Sequence, residues 1–308
     1  MNAHYIDTVR LLLAIAPAVF ASGRFAMKGG TALNLFVQEM PRLSVDIDLV
    51  FVDHVPDRMP ALQVIGEDLA TVRTTLMSQG LRAHLPANAA GDDVKLVVSN
   101  PAAQVKIEVN FVFRGTLLPI ETCSLVDSAQ ELFTTDLAVP VLATAELYGS
   151  KLVAAMDRQH PRDLFDVLHM LDRFGWRPQF TDCFVAYLAG HHRPVHEVLF
   201  PKAKPLEPAF TNEFSGMTRE TVNLGTLAQM QTRLLNELPR QLTASHRDFL
   251  LSLVQCEPAW ELMPFPHLQE LPAIKWKQMN LAKLKKSNAS RFAQQHDELA
   301  VCFGTISL

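Results

Sequence analysis

Alternating apolar and polar positions predict a sheet in the first half of the chain. Segments with a period of two are separated by Gly, Asp, Asn and Pro, as strands are separated by turns. The predicted strands are 44–52, 81–85, 94–99 and 105–113. The predicted helices before and between them, where apolar residues recur at helical spacing, are 5–20, 31–38 and 61–79. Gly80 is a typical C-cap for the last of these helices.

The second half of the chain has the spacing of helices. "ATAELYGSKLVAAMDR" at 143–158 predicts one helix, and "PRDLFDVLHMLDRF" at 161–174 predicts the next, with Pro161 in the favoured first turn. The remaining residues are mostly helical in pattern and are interrupted by prolines. We therefore expect an α+β protein, with a mixed sheet domain at 1–142 and a helical domain at 143–308.

Composition narrows the class of protein. The 308 residues are 48% apolar and 19% charged, which is ordinary for a globular protein. A formal net charge of −4 argues against binding nucleic acid over the whole surface, but it leaves room for a local basic patch. The cysteines form no CxxC pair and predict reduced thiols, as in the cytoplasm. They are Cys123, Cys183, Cys256 and Cys302.

The apolar run at residues 11–20 imitates an export signal. Asp7 lies in the segment before it, which has only Arg10 as a basic side chain, so a buried first helix fits better. No run reaches the roughly 18 apolar residues that span a bilayer. We expect a cytoplasmic protein with no membrane partner.

Two aspartates stand in the alternating segment "RLSVDIDLVF". In a strand, Ser44, Asp46 and Asp48 share one face, and the two aspartate Cα atoms lie roughly 6–7 Å apart. Like charges at that separation favour a cation between them. Magnesium accepts one or two carboxylates and completes its shell with water and phosphate oxygens. The alternative is an edge strand with solvated aspartates.

A glycine turn precedes this segment. Gly29, Gly30 and Thr31 stand in front of the predicted helix at 31–38, where free backbone N–H groups can receive a phosphate. Glycine also lets a ligand approach the backbone closely. The alternative is a simple tight turn before a helix.

A third carboxylate comes from the predicted strand at 105–113. If this strand lies beside the strand at 44–52, Glu108 can join Asp46 and Asp48 in holding magnesium against a triphosphate. The alternative is that Glu108 belongs to the polar face of a two-sided strand.

Charged residues of the two central helices form a further candidate group. Lys151 and Arg158 are seven residues apart, hence on one helix face, and are candidate phosphate contacts. Asp163 either orients Lys151 or acts as a base toward an attacking hydroxyl. The alternative is that these are surface cations and helix-start acids present for stability alone. As a surface residue, Lys151 would be replaceable by alanine with little loss of stability.

A basic segment lies near the C-terminal end. Residues 275–291 contain no acid, and they present either an RNA-backbone contact or a solvated helix face. Its cations are Lys275, Lys277, Lys283, Lys285, Lys286 and Arg291. The histidines in "HHRPVHEV", at 191, 192 and 196, are a weaker metal candidate because Pro194 interrupts any helical frame.

These motifs, taken in order, resemble the AbiEii-type nucleotidyltransferase toxins of abortive-infection and toxin–antitoxin systems. The matching segments are "FAMKGGTALNL", "RLSVDIDLVF", "KLVAAMDR", "RDLFDVLHM", "EFSGM" and "LPAIKWKQMNLAKL". The resemblance implies a polymerase-beta-type nucleotidyltransferase fold with a helical C-terminal region. It also implies magnesium as cofactor, a nucleoside triphosphate as substrate, and RNA, above all the 3′ end of tRNA, as acceptor. A cognate antitoxin is an implied partner.

The resemblance assigns roles to individual residues. Gly30 and Thr31 match the phosphate-binding motif, and Thr31 keeps the hydroxyl of the more usual serine. Asp46 and Asp48 match the metal pair. Lys151 and Asp163 match the two later motifs. We include Gly29, Arg42, Ser44 and Arg158 as nucleotide-binding candidates. Two other functions stay open: the same transfer to a protein or small molecule, and a non-enzymatic role in binding a nucleotide or partner.

Overall fold

A computed structural model describes residues 3–55, 57–86, 93–110 and 112–306. Residue 111, which belongs to the last predicted strand, lies outside the described residues. The chain forms two compact units, divided after Leu147, where the sequence-based boundary is at 142. The first unit is Met1–Leu147 with Ser215–Thr221, and the second is Tyr148–Phe214 with Val222–Leu308.

A mixed sheet forms the centre of the first unit. Its strands in the described part of the chain are β1 (Phe25–Lys28), β2 (Ile47–Phe51), β3 (Arg82–His84), β4 (Asp93–Ser99), β5 (Gln104–Asn110), β6 (Glu121–Ser124) and β7 (Ala138–Val141). Their order in the sheet is β3-β4-β5-β2-β1-β7-β6. The β2–β5 and β1–β7 pairs are parallel and the other pairs are antiparallel.

The four predicted strands are confirmed as β2 to β5, whereas β1, β6 and β7 were not predicted. Each of these has four residues, which is too short to show a period of two. In addition, β1 is almost wholly buried and β7 contains Pro140, so neither has the usual signature of a strand.

Helices cover this sheet. They are α1 (Ala3–Phe20), α2 (Gly29–Ala32), which continues as a π-helix (Leu33–Val37), α3 (Arg58–Ser78) and α4 (Asp127–Phe133). The α1 helix packs against β1, β5 and β7 and against α3, which itself packs on β3 and β4. Burial of Leu12, Ile15 and Val19 in this contact accounts for the apolar run that resembles an export signal.

The second unit is helical, as predicted. Its helices are α5 (Thr144–Arg158), in which the division between units falls, α6 (Pro161–Phe174), α7 (Pro178–Ala189), α8 (Val195–Leu199), α9 (Glu207–Ala209), α10 (Leu224–Glu237), α11 (Ala244–Val254), α12 (Pro272–Ser287) and α13 (Ala289–Ile306). Here α10 packs on α6, α7 on α11, and α13 on α8, α11 and α12. The α+β class is thereby confirmed. Within the described ranges, no helix is both long and apolar enough to cross a membrane.

Candidate active site

Gly29, the first residue of α2 directly after β1, packs against Asp48. Gly29 has φ +76, and a Cβ atom at this position would overlap the Asp48 carboxylate. The contact follows from the sheet, because β1 pairs with β2 in a register that places Lys28 opposite Asp48. Only glycine meets both requirements without strain, the left-handed backbone and the missing side chain.

The loop that precedes β2 packs closely against Gly30. A Cβ at Gly30 would lie 2.7 Å from Arg42 Nη2 and 3.0 Å from Ser44 Oγ. Arg42 is buried, and its Nη1 donates a hydrogen bond of 3.0 Å to the Leu43 carbonyl. The structure thus brings together three of the residues that the sequence nominates for nucleotide binding.

The hydroxyl of Thr31 has a role that its sequence motif does not indicate. Thr31 is fully buried, and Oγ1 donates to the Asp46 carbonyl over 2.5 Å. It fixes the backbone at Asp46 in this way. Asn34 was not predicted as a site residue, yet its Nδ2 donates to the Gly30 carbonyl over 2.9 Å. Asn34 follows Gly30 by four residues, about one helical turn, and this spacing could have indicated the contact.

The two aspartates lie at the start of β2. The strand begins at Ile47, so Asp48 belongs to it and Asp46 precedes it, in contrast to the longer strand expected at 44–52. Ile47 and Leu49 are buried, whereas both aspartates are only half-buried. The two aspartates are separated by one residue, and Asp48 lies against Gly29. Carboxylate oxygens are hard ligands, so the pair suits magnesium.

Glu108 lies beside these aspartates, but its side chain is engaged elsewhere. The parallel pairing of β2 with β5 aligns Asp48 with Glu108, as a shared metal site would require. From the other neighbouring strand, Lys95 Nζ lies 2.9 Å from Glu108 Oε1. The described residues contain no group of three or more acidic, histidine or cysteine side chains arranged to hold a metal. Lys95 is therefore the partner that the structure gives to Glu108.

A buried charge cluster occupies the second unit. Lys151 Nζ lies 2.9 Å from Asp163 Oδ1 and 3.0 Å from Asp166 Oδ2. All three side chains are almost inaccessible to solvent. The expectation that Lys151 is a surface residue is wrong. Asp166 is a site residue missing from the predicted set, although its spacing of three from Asp163 was a usable signal.

Arg158 is the solvent-facing member of this cluster. Its side chain is 62% exposed, and Nη2 lies 2.8 Å from Asp163 Oδ2. Burial raises the pKa of Asp163, but Lys151 and Arg158 together outweigh burial and leave the pKa below its usual value. A carboxylate with a lowered pKa and two cation partners is a weak base. Of the two roles predicted for Asp163, the geometry favours orienting Lys151.

The basic segment is largely exposed, with one exception. Lys275, Lys283, Lys285 and Lys286 face solvent, as does Arg291. Lys277 is only 5% exposed, and its Nζ donates to the carbonyls of His191 over 3.0 Å and Arg193 over 2.6 Å. Burial lowers the pKa of Lys277 to about 8. Lys277 therefore does not belong to the RNA-contacting surface predicted for it.

The histidine-rich segment is held by carboxylates from separate elements. His191 Nε2 lies 3.6 Å from Asp157 Oδ2, and His196 Nε2 lies 2.7 Å from Glu298 Oε2. Desolvation lowers the pKa of His191 to about 4, so its ring is neutral at pH 7. These contacts explain the histidines as structural residues of the second unit.

Comparison with known proteins places the chain in a family. Residues 10–277 match the family described as "Nucleotidyl transferase AbiEii toxin, Type IV TA system". Among solved structures, the fold is similar to MenT4, a nucleotidyltransferase toxin from Mycobacterium tuberculosis H37Rv, with a TM-score of 0.60 and 17% identity. That match covers 91% of this chain and 95% of MenT4. No sequence among curated proteins matches significantly. The chain therefore belongs to the AbiEii family of nucleotidyltransferase toxins of type IV toxin–antitoxin systems.

Proposed function

We propose that this toxin transfers a nucleoside monophosphate from a nucleoside triphosphate to RNA, at the 3′ end of tRNA, and thereby blocks translation. The observation that carries the proposal is the packing of Gly29 against Asp48. The left-handed backbone of Gly29 leaves space for one carboxylate, in a chain that belongs to a nucleotidyltransferase family. A glycine at this position indicates a function, because glycine loses more conformational entropy on folding than any other residue.

Magnesium is the cofactor that suits the residues. Asp46 and Asp48 would hold it, and water and phosphate oxygens would complete its shell. Bound magnesium supplies a positive charge that stabilises the phosphate oxygens as the bond to the leaving group breaks. Thr31 and Gly29 contribute by fixing the two aspartates, one through the Asp46 carbonyl and the other through space for the Asp48 carboxylate.

The reaction needs cations that bind the triphosphate and residues that orient these cations. A hydroxyl oxygen of the acceptor forms a bond to the α-phosphorus, the bond to the bridging oxygen breaks, pyrophosphate leaves, and the hydroxyl proton passes to solvent. Arg158 supplies an exposed guanidinium for the phosphates. Lys151 is the second candidate phosphate contact, and Asp163 and Asp166 hold its ammonium group in position.

RNA is the acceptor that suits the surface charge. The net charge of −4 gives no general attraction to RNA, but the exposed lysines of α12 form a local basic patch without an acid in the same helix. Phosphate contacts by such cations supply most of the sequence-independent affinity for nucleic acid. The cytoplasm, where tRNA and nucleotides meet, is the proposed location, and a cognate antitoxin is the partner implied by the family.

The test is incorporation of label from each α-³²P-labelled triphosphate in turn. The purified protein is incubated with magnesium and with tRNA, total protein or buffer alone. We expect label at the 3′ end of tRNA from wild type and none from Asp46→Asn. Label in protein instead of RNA would support the alternative acceptor. Absence of label from all four triphosphates would refute the proposal.

A further inference from the structure

One face of α12 combines apolar and basic side chains in solvent. Trp276 is 51% exposed and Met279 is 64% exposed. Lys275, Lys283 and Lys286 are separated from Met279 by four, four and seven residues, so they share its side of the helix. We call these five residues the Trp276 face. Two exposed apolar residues one helical turn apart, with charged residues on the same side of the helix, are typical of an interaction site.

The opposite side of α12 already anchors the helix. Ile274 and Leu281 are buried, and the Lys277 ammonium donates to two backbone carbonyls. Gln278 Nε2 donates to the Leu253 carbonyl over 3.2 Å. The helix is therefore anchored through the side that lies opposite the Trp276 face.

The other two tryptophans of the chain have structural contacts. Trp176 Nε1 donates to Glu237 Oε2 over 2.8 Å, and the Trp260 ring lies 5.9 Å from that of Phe249. Trp276 differs from both in exposing half of its surface. Its large apolar area contributes less to folding than it would in the core, which points to a binding role.

We propose that the Trp276 face binds single-stranded RNA, with a base stacked on the Trp276 ring and phosphates beside the lysines. The chemistry selects unpaired RNA, because in a duplex the faces of the bases are covered by their neighbours. An acidic peptide would satisfy the lysines but would not need an aromatic platform. The inference rests on RNA as the proposed acceptor and specifies that the protein engages an unpaired segment of it.

Stacking can be tested by equilibrium binding. A fluorescein-labelled RNA of about 12 nucleotides, within the range that single-strand sites cover, is titrated with the intact protein, as a single strand and as a duplex. Trp276→Ala should weaken single-strand binding about 5- to 140-fold, the range for loss of one base–aromatic stack. Trp276→Phe should retain most of the affinity. Val301→Ala, at another exposed apolar residue of the same unit, is the matched control and should have no effect.

The lysines are tested by the salt dependence of the same binding. Alanine at Lys275, Lys283 and Lys286 together should flatten the plot of log affinity against log salt, by about 0.7 for each phosphate that the protein no longer neutralises. Lys202→Ala, at an exposed lysine outside the face, should leave the slope unchanged.

Three results would overturn the proposal. The first is equal affinity of wild type and Trp276→Ala for the single strand, and the second is tighter binding of the duplex. The third is a dimer, seen by light scattering, that Trp276→Ala dissociates, because the face would then bind a second copy. Label transfer is measured separately. If the wild-type protein binds the single strand but transfers no label, only the proposed function is refuted. If it transfers label but Trp276→Ala binds the single strand as tightly as wild type does, only this inference is refuted.

Discussion

The glycine–aspartate site of the first unit and the Lys151 cluster of the second place their charged groups by different means. In the first, backbone packing sets the positions: Asp48 lies against Gly29, and Thr31 holds the Asp46 carbonyl. Both carboxylates stay half-exposed. In the second, Lys151 is buried between two carboxylates. The first arrangement leaves its carboxylates partly exposed to solvent, whereas the second buries its carboxylates around Lys151.

The largest effect should come from breaking the buried cluster. Lys151→Ala leaves two buried carboxylates without their shared cation, so we expect a loss of about 3–5 kcal/mol in the free energy of unfolding. Arg158→Ala is the matched control, since it removes the exposed partner of the same Asp163 and should cost less than about 1 kcal/mol. Urea unfolding measures both. Similar values for the two variants would show that burial does not set the strength of the cluster.

Gly29 offers a test that separates backbone strain from overlap of an added Cβ atom with Asp48. Gly29→Ala should reduce transfer about 100-fold or more, because displacement of the Asp48 carboxylate misplaces the donor set. Gly80→Ala is the control: it has φ +84 but nothing within 4 Å of the added Cβ. Both variants should lose about 1–2 kcal/mol of stability from the left-handed backbone. Equal activity of the two variants would show that transfer does not depend on the Gly29–Asp48 contact.

A smaller effect is expected at Glu108. Because Lys95 already pairs with this carboxylate at a partly exposed position, Glu108→Gln should change transfer by only a few-fold and stability by less than about 1 kcal/mol. Initial rates at saturating magnesium measure the change. A loss as complete as that expected for Asp46→Asn would instead make Glu108 a metal ligand.

The smallest effect concerns acid stability. The pKa of Asp163 is lowered by Lys151 and Arg158 in spite of burial, so its contribution to stability is present above its unfolded pKa and is lost as the pH falls through the lowered value. Arg158→Ala should move acid unfolding to slightly higher pH, as followed by circular dichroism. Arg10→Ala, which breaks an exposed pair with Asp7, is the control. A shift of the same size in both variants would count against the cluster as its source.

Helices and strands were predicted best where a long periodic pattern of apolar residues coincides with a residue that typically starts or ends the element. The α6 helix has the predicted bounds, 161–174, because helical spacing and Pro161 at its start agree. The strands β1, β6 and β7 were missed because pairing with neighbours stabilises them, and four residues carry little pattern of their own.

Side-chain direction was harder to predict from the sequence. Lys151 and Lys277 were assigned to the surface because lysine is rarely buried, yet both are nearly inaccessible. For Lys277 a signal existed: it shares a helix face with Ile274 and Leu281, so the helical period places it inward. For Lys151, burial depends on two carboxylates from another helix, which spacing within α5 does not reveal. In the first unit, the adjacency of Asp46 and Asp48 followed from the sequence, but their support by Thr31 did not.

The proposed mechanism depends above all on magnesium-dependent transfer to RNA at the Asp46–Asp48 pair. The decisive measurement is the rate of label transfer from the active triphosphate to tRNA, with magnesium or with EDTA, for wild type and Asp46→Asn. The unfolding curves of both proteins are recorded alongside. We predict transfer only by wild type with magnesium, and unchanged unfolding of the variant, since an amide is a poorer ligand for a hard cation. A folded Asp46→Asn protein that transfers label at the wild-type rate would contradict this mechanism.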